Sequence, residues 1–144
     1  MDDAFRQAEA AAARGEVPVG AVVVDAVTGA IVAAAGNEVE QRTDPTAHAE
    51  ILVLRAAAEA KGTPRLEDCD LYVTLEPCAM CAAAISFARI RRLHFGAYDP
   101  KGGGVDHGPR FFAQPTCHHR PEVVGGIQAG RAEVLLKTFF ASLR

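Results

Sequence analysis

The chain has 144 residues, 49% of them hydrophobic and 23% charged, with a formal net charge of −3. That balance fits one globular domain spanning residues 1–144. It excludes a membrane-spanning helix, because no apolar run approaches the ~20 residues one needs.

The start, MDDAFRQAEA, is acidic and polar, unlike a signal peptide or an arginine-rich transit peptide. A cytoplasmic protein with reduced cysteines is therefore expected. DDAFRQAEAAAARG reads as a first helix with an Asp cap and Gly15 at its end. VPVGAVVVD and AIVAAAGN are short β-rich runs around a turn at Thr28–Gly29, which predicts a hairpin. TAHAEILVLRAAAEAKG has its leucine, isoleucine and valine at helical spacing and stops at Gly62. Asp44 is the expected cap of that helix, with Pro45 at its first position. CDLYVTLE reads as a buried strand, and PCAMCAAAISFARI as a small-residue helix with Pro77 in its first turn. RRLHFGAY is a predicted strand, DPKGGGVDHG a glycine-rich loop, EVVGGI a short strand and QAGRAEVLLKTFFASLR a closing helix. Strands alternating with helices predict a three-layer α/β or α+β domain with a mixed sheet.

Charge is unevenly distributed. From Ser86 to Arg120 six basic residues oppose two acids, which leaves the rest of the chain at −7. A positive face on an acidic protein fits local contact with a phosphate backbone, and a solvated charge run reads equally from this feature alone.

The chemistry is concentrated in TAHAE, residues 46–50, and EPCAMC, residues 76–81. Cysteines at i and i+3 share one helix face, so Cys78 and Cys81 can hold one metal ion. The free N–H groups and dipole of a helix start favour their thiolates. His48 supplies a third ligand, and three protein ligands leave one tetrahedral position open, the mark of a catalytic zinc site. Two thiolates already balance the charge of Zn²⁺, so this zinc is a weaker Lewis acid than one held by three imidazoles. Glu50 makes up the deficit as general base, and once protonated it is an acid for a leaving amine. Taken singly, Cys-x-x-Cys also describes a redox pair, and His-x-Glu a solvated pair at a helix start. Together, with Pro77 before the first cysteine and strand–helix context on both sides, they predict hydrolytic deamination of an amino-substituted heterocycle. Cys69 and Cys117 lack this context and read as buried thiols; a second metal site at Cys117–His119 is the minor reading.

With those residues in hand, the sequence resembles the cytidine deaminase-like superfamily, whose signature is His-x-Glu followed by Pro-Cys-x-x-Cys. The stretches EVPVGAV and ARIRRLHFGAYDPKGG bring it nearer to the bacterial tRNA-specific adenosine deaminases, and the similarity runs from about Glu16 to the C-terminus. The resemblance implies a five-stranded mixed sheet between helices, a homodimer, and one Zn²⁺ per subunit on His48, Cys78 and Cys81. It implies conversion of adenosine to inosine at the wobble position of a tRNA anticodon stem-loop, with Glu50 as proton shuttle. Asn37 corresponds to the asparagine that binds the base, and Asp99 to a loop aspartate beside the ribose and backbone. Phe140, with Phe139, corresponds to the aromatic pair near the anticodon loop; for both, plain helix packing is the competing account. An adenine stacked in a duplex cannot reach a buried metal, so the substrate is expected in a loop.

Two other functions are compatible with the same residues. A deaminase of a free nucleobase or nucleoside, guanine or cytosine, keeps the chemistry and needs a pocket closed by its own C-terminal segment. A zinc-stabilised binding module needs a fourth protein ligand and is indifferent to Glu50.

Overall fold

The computed structural model describes residues 1–144. Helix α1, Asp2–Ala13, precedes a hairpin of β1, Gly20–Asp25, and β2, Ile31–Gly36. A short helix α2, Val39–Arg42, leads into α3, Ala49–Lys61, then β3, Cys69–Leu75, α4, Ala79–Phe87, and β4, Arg92–Ala97. A 3-10 turn at Phe111–Ala113, β5 at Glu122–Val124 and α5 at Ala129–Ser142 complete the chain. The sheet runs β2-β1-β3-β4-β5, with β1 antiparallel to β2 and β3, and with β3, β4 and β5 parallel. This is the cytidine deaminase-like α/β fold.

Alternation along β1 separates the layers. Ala21 and Val23 point into a core shared with Val53, Leu54 and Ala57 of α3 and with Ala82 and Ile85 of α4. Gly20 and Gly36 point the other way, toward α1: a Cβ at Gly20 would lie 2.0 Å from the Ala4 carbonyl oxygen. The glycine is therefore what lets α1 lie flat on the sheet. Gly20→Ala is expected to destabilise the protein by about 1–3 kcal/mol through overpacking, read as a lower urea midpoint at unchanged slope.

Several element boundaries differ from the sequence reading. Met1, not an aspartate, precedes α1, and Asp2 and Asp3 occupy its first turn. Asp44 caps no helix: its Oδ1 accepts the Thr46 N–H and Oγ–H, closing a local turn. The helix begins only at Ala49 because Asn37 Oδ1, from the end of the hairpin, accepts the Ala49 N–H at 2.8 Å. Likewise α4 starts after Cys78, which is extended, so Pro77 lies ahead of the helix.

The positive segment is divided by the fold. Arg91 donates Nε and Nη2 to the two oxygens of Asp70, and Arg92 Nε donates to Glu122. Both pairs sit where β3 and β4 begin, five residues of strand from the end of β3 at Leu75, or about 17 Å. Arg120 is turned back onto the carbonyls of Phe112 and Gln114.

On the same sheet, His94 stacks flat on Tyr72 with ring centroids 4.3 Å apart, and its Nδ1 is buried with no partner. Burial disfavours the charged ring and holds its pKa below 6.5, with Arg92 acting in the same direction and Asp70 opposing. Below pH 6.5 the unfolded chain therefore takes up this proton before the folded one does. Stability from this group is full above 6.5 and declines as pH falls toward the lowered value. A His94→Phe variant is expected to lose less stability between pH 7 and 5.5 than the parent, measured by thermal melting across that range.

Candidate active site

The cleft opens where β3 ends, between the N-termini of α3 and α4 and the last turns of α5. It encloses about 710 Å³ and is lined by Glu16, Asn37, His48, Glu50, Cys78, Asp99 and Phe140, among others. Such a volume is typical of sites that take a small molecule or a single extruded base. Of the residues expected from sequence, only Cys81 is absent from the wall; it lies fully buried behind Cys78.

Each metal-type ligand is placed by a helix start. His48 immediately precedes α3 in extended conformation, and Cys78 does the same for α4, so both side chains face the gap between the helices. His48 Nδ1 lies 3.7 Å from Cys78 Sγ and 3.5 Å from Cys81 Sγ, and the three atoms fall within 4.8 Å of one another. Zn–S bonds of about 2.3 Å and Zn–N bonds of about 2.0–2.1 Å at tetrahedral angles separate sulfur from nitrogen by about 3.6 Å. The trio matches that spacing. Its electrostatics agree: the Cys81 thiol and then His48 hold Cys78 down to about 4, while the contact with Cys78, and burial, push Cys81 up. The same Cys78 contact raises the His48 pKa. A divalent cation among the three resolves this competition for protons, since both sulfurs can then be thiolates. Cys69 and Cys117 remain free buried thiols, and Cys117 donates to the His119 carbonyl, so the CHH run builds no second metal site.

Glu50 occupies the first turn of α3 and is 4% exposed. Burial pushes its carboxyl up to about 7; Cys78 adds to the rise, while its own backbone N–H, His48 and Cys81 oppose it. A carboxyl poised near neutrality at the edge of a cleft suits proton transfer in both directions. Asn37 sits across from it with its amide oxygen engaged by Ala49, as described above. Asp99 heads the glycine-rich loop, its Oδ1 accepting the N–H groups of Lys101 and Gly102. Phe139 and Phe140 pack edge to face at the cleft's outer end, and Phe140 stays 46% exposed.

Two buried carboxylates in this wall escaped the sequence reading. Glu16 accepts the N–H groups of Glu40 and Gln41, one on each oxygen, and so ties α2 to the segment after α1. Glu76 lies at the other side, beneath the glycine-rich loop. The only signal in sequence was an acid set among apolar residues, in GEVPVG and TLEPC.

Comparison with known proteins agrees with this geometry. Residues 1–97 match the family model described as the cytidine and deoxycytidylate deaminase zinc-binding region. A tRNA-specific adenosine deaminase of Agrobacterium fabrum is 55% identical over all 144 residues, covering 93% of that protein. A solved structure from a study of A-to-I editing by tRNA:A34 deaminases at the wobble position superposes with a TM-score of 0.91. It is 56% identical, with 94% of this chain and 97% of that chain covered. A guanine deaminase from Nitrosomonas europaea shares the fold, with a TM-score of 0.83 at 24% identity over 96% of this chain and 81% of that one. The chain belongs to the cytidine and deoxycytidylate deaminase zinc-binding family, and within it to the tRNA-specific adenosine deaminases.

Proposed function

We propose that this chain deaminates adenosine to inosine at the wobble position of a tRNA anticodon, releasing ammonia, with residues 1–144 acting as one domain. The observation that carries the reading is Glu50: a buried acid two positions from His48, on a cleft that also exposes Cys78.

His48, Cys78 and Cys81 would hold the zinc, which when bound would supply Lewis acidity to the hydrolysis. Glu50 takes a proton from the attacking water and returns it to the departing amine, so one carboxyl serves as base and then as acid. Asn37 orients the base through its remaining amide hydrogens. Asp99 addresses the ribose and backbone, and Phe140 contacts the loop nucleotides. Because water adds at the carbon and ammonia leaves it, no redox partner is required.

Phe140 and Leu143, at 46% and 67% exposed, form a rim at the cleft's outer end rather than a lid over it. That favours a base presented by a larger molecule over a free base enclosed by the chain itself. Exposed cations close to this rim are Lys101, beside Asp99, and Lys137 of α5 and Arg144 just after it, which line one hollow with Phe140. Three such contacts to a single-stranded loop predict a plot of log affinity against log salt with a slope of about −2. The family resemblance implies a homodimer, and Phe87, 73% exposed at the end of α4, is apolar surface available to a subunit contact. A tRNA substrate supports a cytoplasmic location; no helix is long and apolar enough to cross a membrane.

The test is an anticodon stem-loop carrying adenosine at the wobble position, with inosine and ammonia measured alongside zinc content. Inosine is expected from the stem-loop, and no ammonia from free guanine or cytosine. Turnover of the free bases without the stem-loop product would transfer the reading to the free-base deaminases.

A further inference from the structure

Glu76 is the most heavily engaged side chain in the molecule. Its carboxylate is 0% exposed. Oε1 accepts the Asp99 N–H at 3.0 Å and lies 2.8 Å from His107 Nδ1, which donates to it as the protonated nitrogen. Oε2 accepts three more backbone N–H groups, from Val105 at 3.2 Å, Asp106 at 3.0 Å and His107 at 3.2 Å. All five donors belong to one loop, residues 99–107.

That loop has little apolar surface of its own to hold it. It contains glycines at 102, 103 and 104, and only Val105 reaches the core. Such a stretch loses much conformational entropy on ordering and has almost no apolar area to compensate. The loop folds tightly around the carboxylate instead. A Cβ at Gly103 would lie 2.3 Å from Glu76 Oε2, and the Gly104 N–H donates to the Pro77 carbonyl at 2.8 Å. The outer side of the loop, Asp99 and Gly102, is cleft wall. Glu76 itself is two residues from Cys78, so one buried charge fastens that wall to the segment carrying a metal ligand.

We propose that Glu76 is a positioning residue for the RNA substrate. It fixes loop 99–107 so that Asp99 and Gly102 stand at the height of the metal ligands, and it touches neither substrate nor metal. The assignment rests on the proposed tRNA reaction. Glutamine is nearly the same shape, yet its amide group presents hydrogens where the loop already presents hydrogens. Glu76→Gln therefore releases the loop without opening a cavity. Gly103→Ala attacks the same junction from the loop side and leaves residue 76 intact.

The experiment uses zinc-loaded protein and the anticodon stem-loop. Affinity is measured by fluorescence anisotropy in a Glu50→Gln background, and kcat and KM with Glu50 present. Both E76Q and G103A are expected to weaken stem-loop binding at least tenfold and to raise KM in step. Zinc should stay at one per chain and kcat within about threefold of the parent. Unchanged affinity in both variants overturns the proposal, as does a loss confined to kcat. Should E76Q lose zinc or its cooperative melt, G103A decides alone, and the same loss there makes Glu76 a residue of the fold or metal site instead. A parent protein that binds the stem-loop without forming inosine faults the proposed reaction, while the affinity arm still reads Glu76.

Discussion

Glu50→Gln is expected to lower inosine formation by about 10²–10⁴-fold while zinc stays bound. The substitution keeps the shape of the side chain and removes its ability to gain and lose a proton. Glu50 is 4% exposed, and the other ionisable groups nearest it, His48, Cys78 and Cys81, are the ones placed to hold the metal. No neighbouring group is therefore free to take over the transfer. The variant also replaces a buried acid by a neutral amide, so it should fold at least as well as the parent near pH 7. Single-turnover conversion of the stem-loop and metal analysis on the same sample provide the check. Parent-like turnover would remove Glu50 from the reaction and leave the proton transfer to another group.

Loss of a metal ligand should be more severe because it affects both chemistry and fold. Cys81→Ser places a poor ligand in a site 0% exposed, behind Cys78 and between two helix starts. Zinc content is expected to fall to background, and activity below about 1% of the parent, since both the Lewis acid and the alignment of its neighbours are lost. Zinc binds the folded state, so the parent treated with a chelator should melt at a lower temperature. A metal present at 1,000 times its dissociation constant is worth about 4 kcal/mol by mass action. Re-addition of zinc should restore both melting temperature and turnover in the chelated parent, and neither in C81S. An active zinc-free C81S would show that the trio is not the reaction centre.

The metal-site residues were legible because their spacing obeys local rules. Cys78 and Cys81 are one helical turn apart, and TAHAEI sits at a helix start, so each pair could be placed without knowing the tertiary structure. What joins the pairs was not legible. The start of α3 at Ala49 is set by Asn37, twelve residues earlier, and no local pattern reveals that bond. Asp44 reads as the cap because capping residues are inferred from the residues that follow them, and in the structure it closes a turn of its own. Glu16 and Glu76 escaped for the same reason, since their partners lie 23 to 31 residues away. The run of arginines looked like one positive face only while the chain was read as a line. In space Arg91 and Arg92 stand at the far end of the sheet, already paired with acids.

Asn37 links the two halves of the site mechanically. Its oxygen already accepts the first N–H of α3, so its amide hydrogens are the group with no assigned partner. Under the proposed reaction, a nucleobase seated there is expected to meet those hydrogens with a lone pair. Any shift of α3 that carried His48 and Glu50 along would drag Asn37 with it, and under the proposed reaction would keep the base and the reacting groups in a single frame.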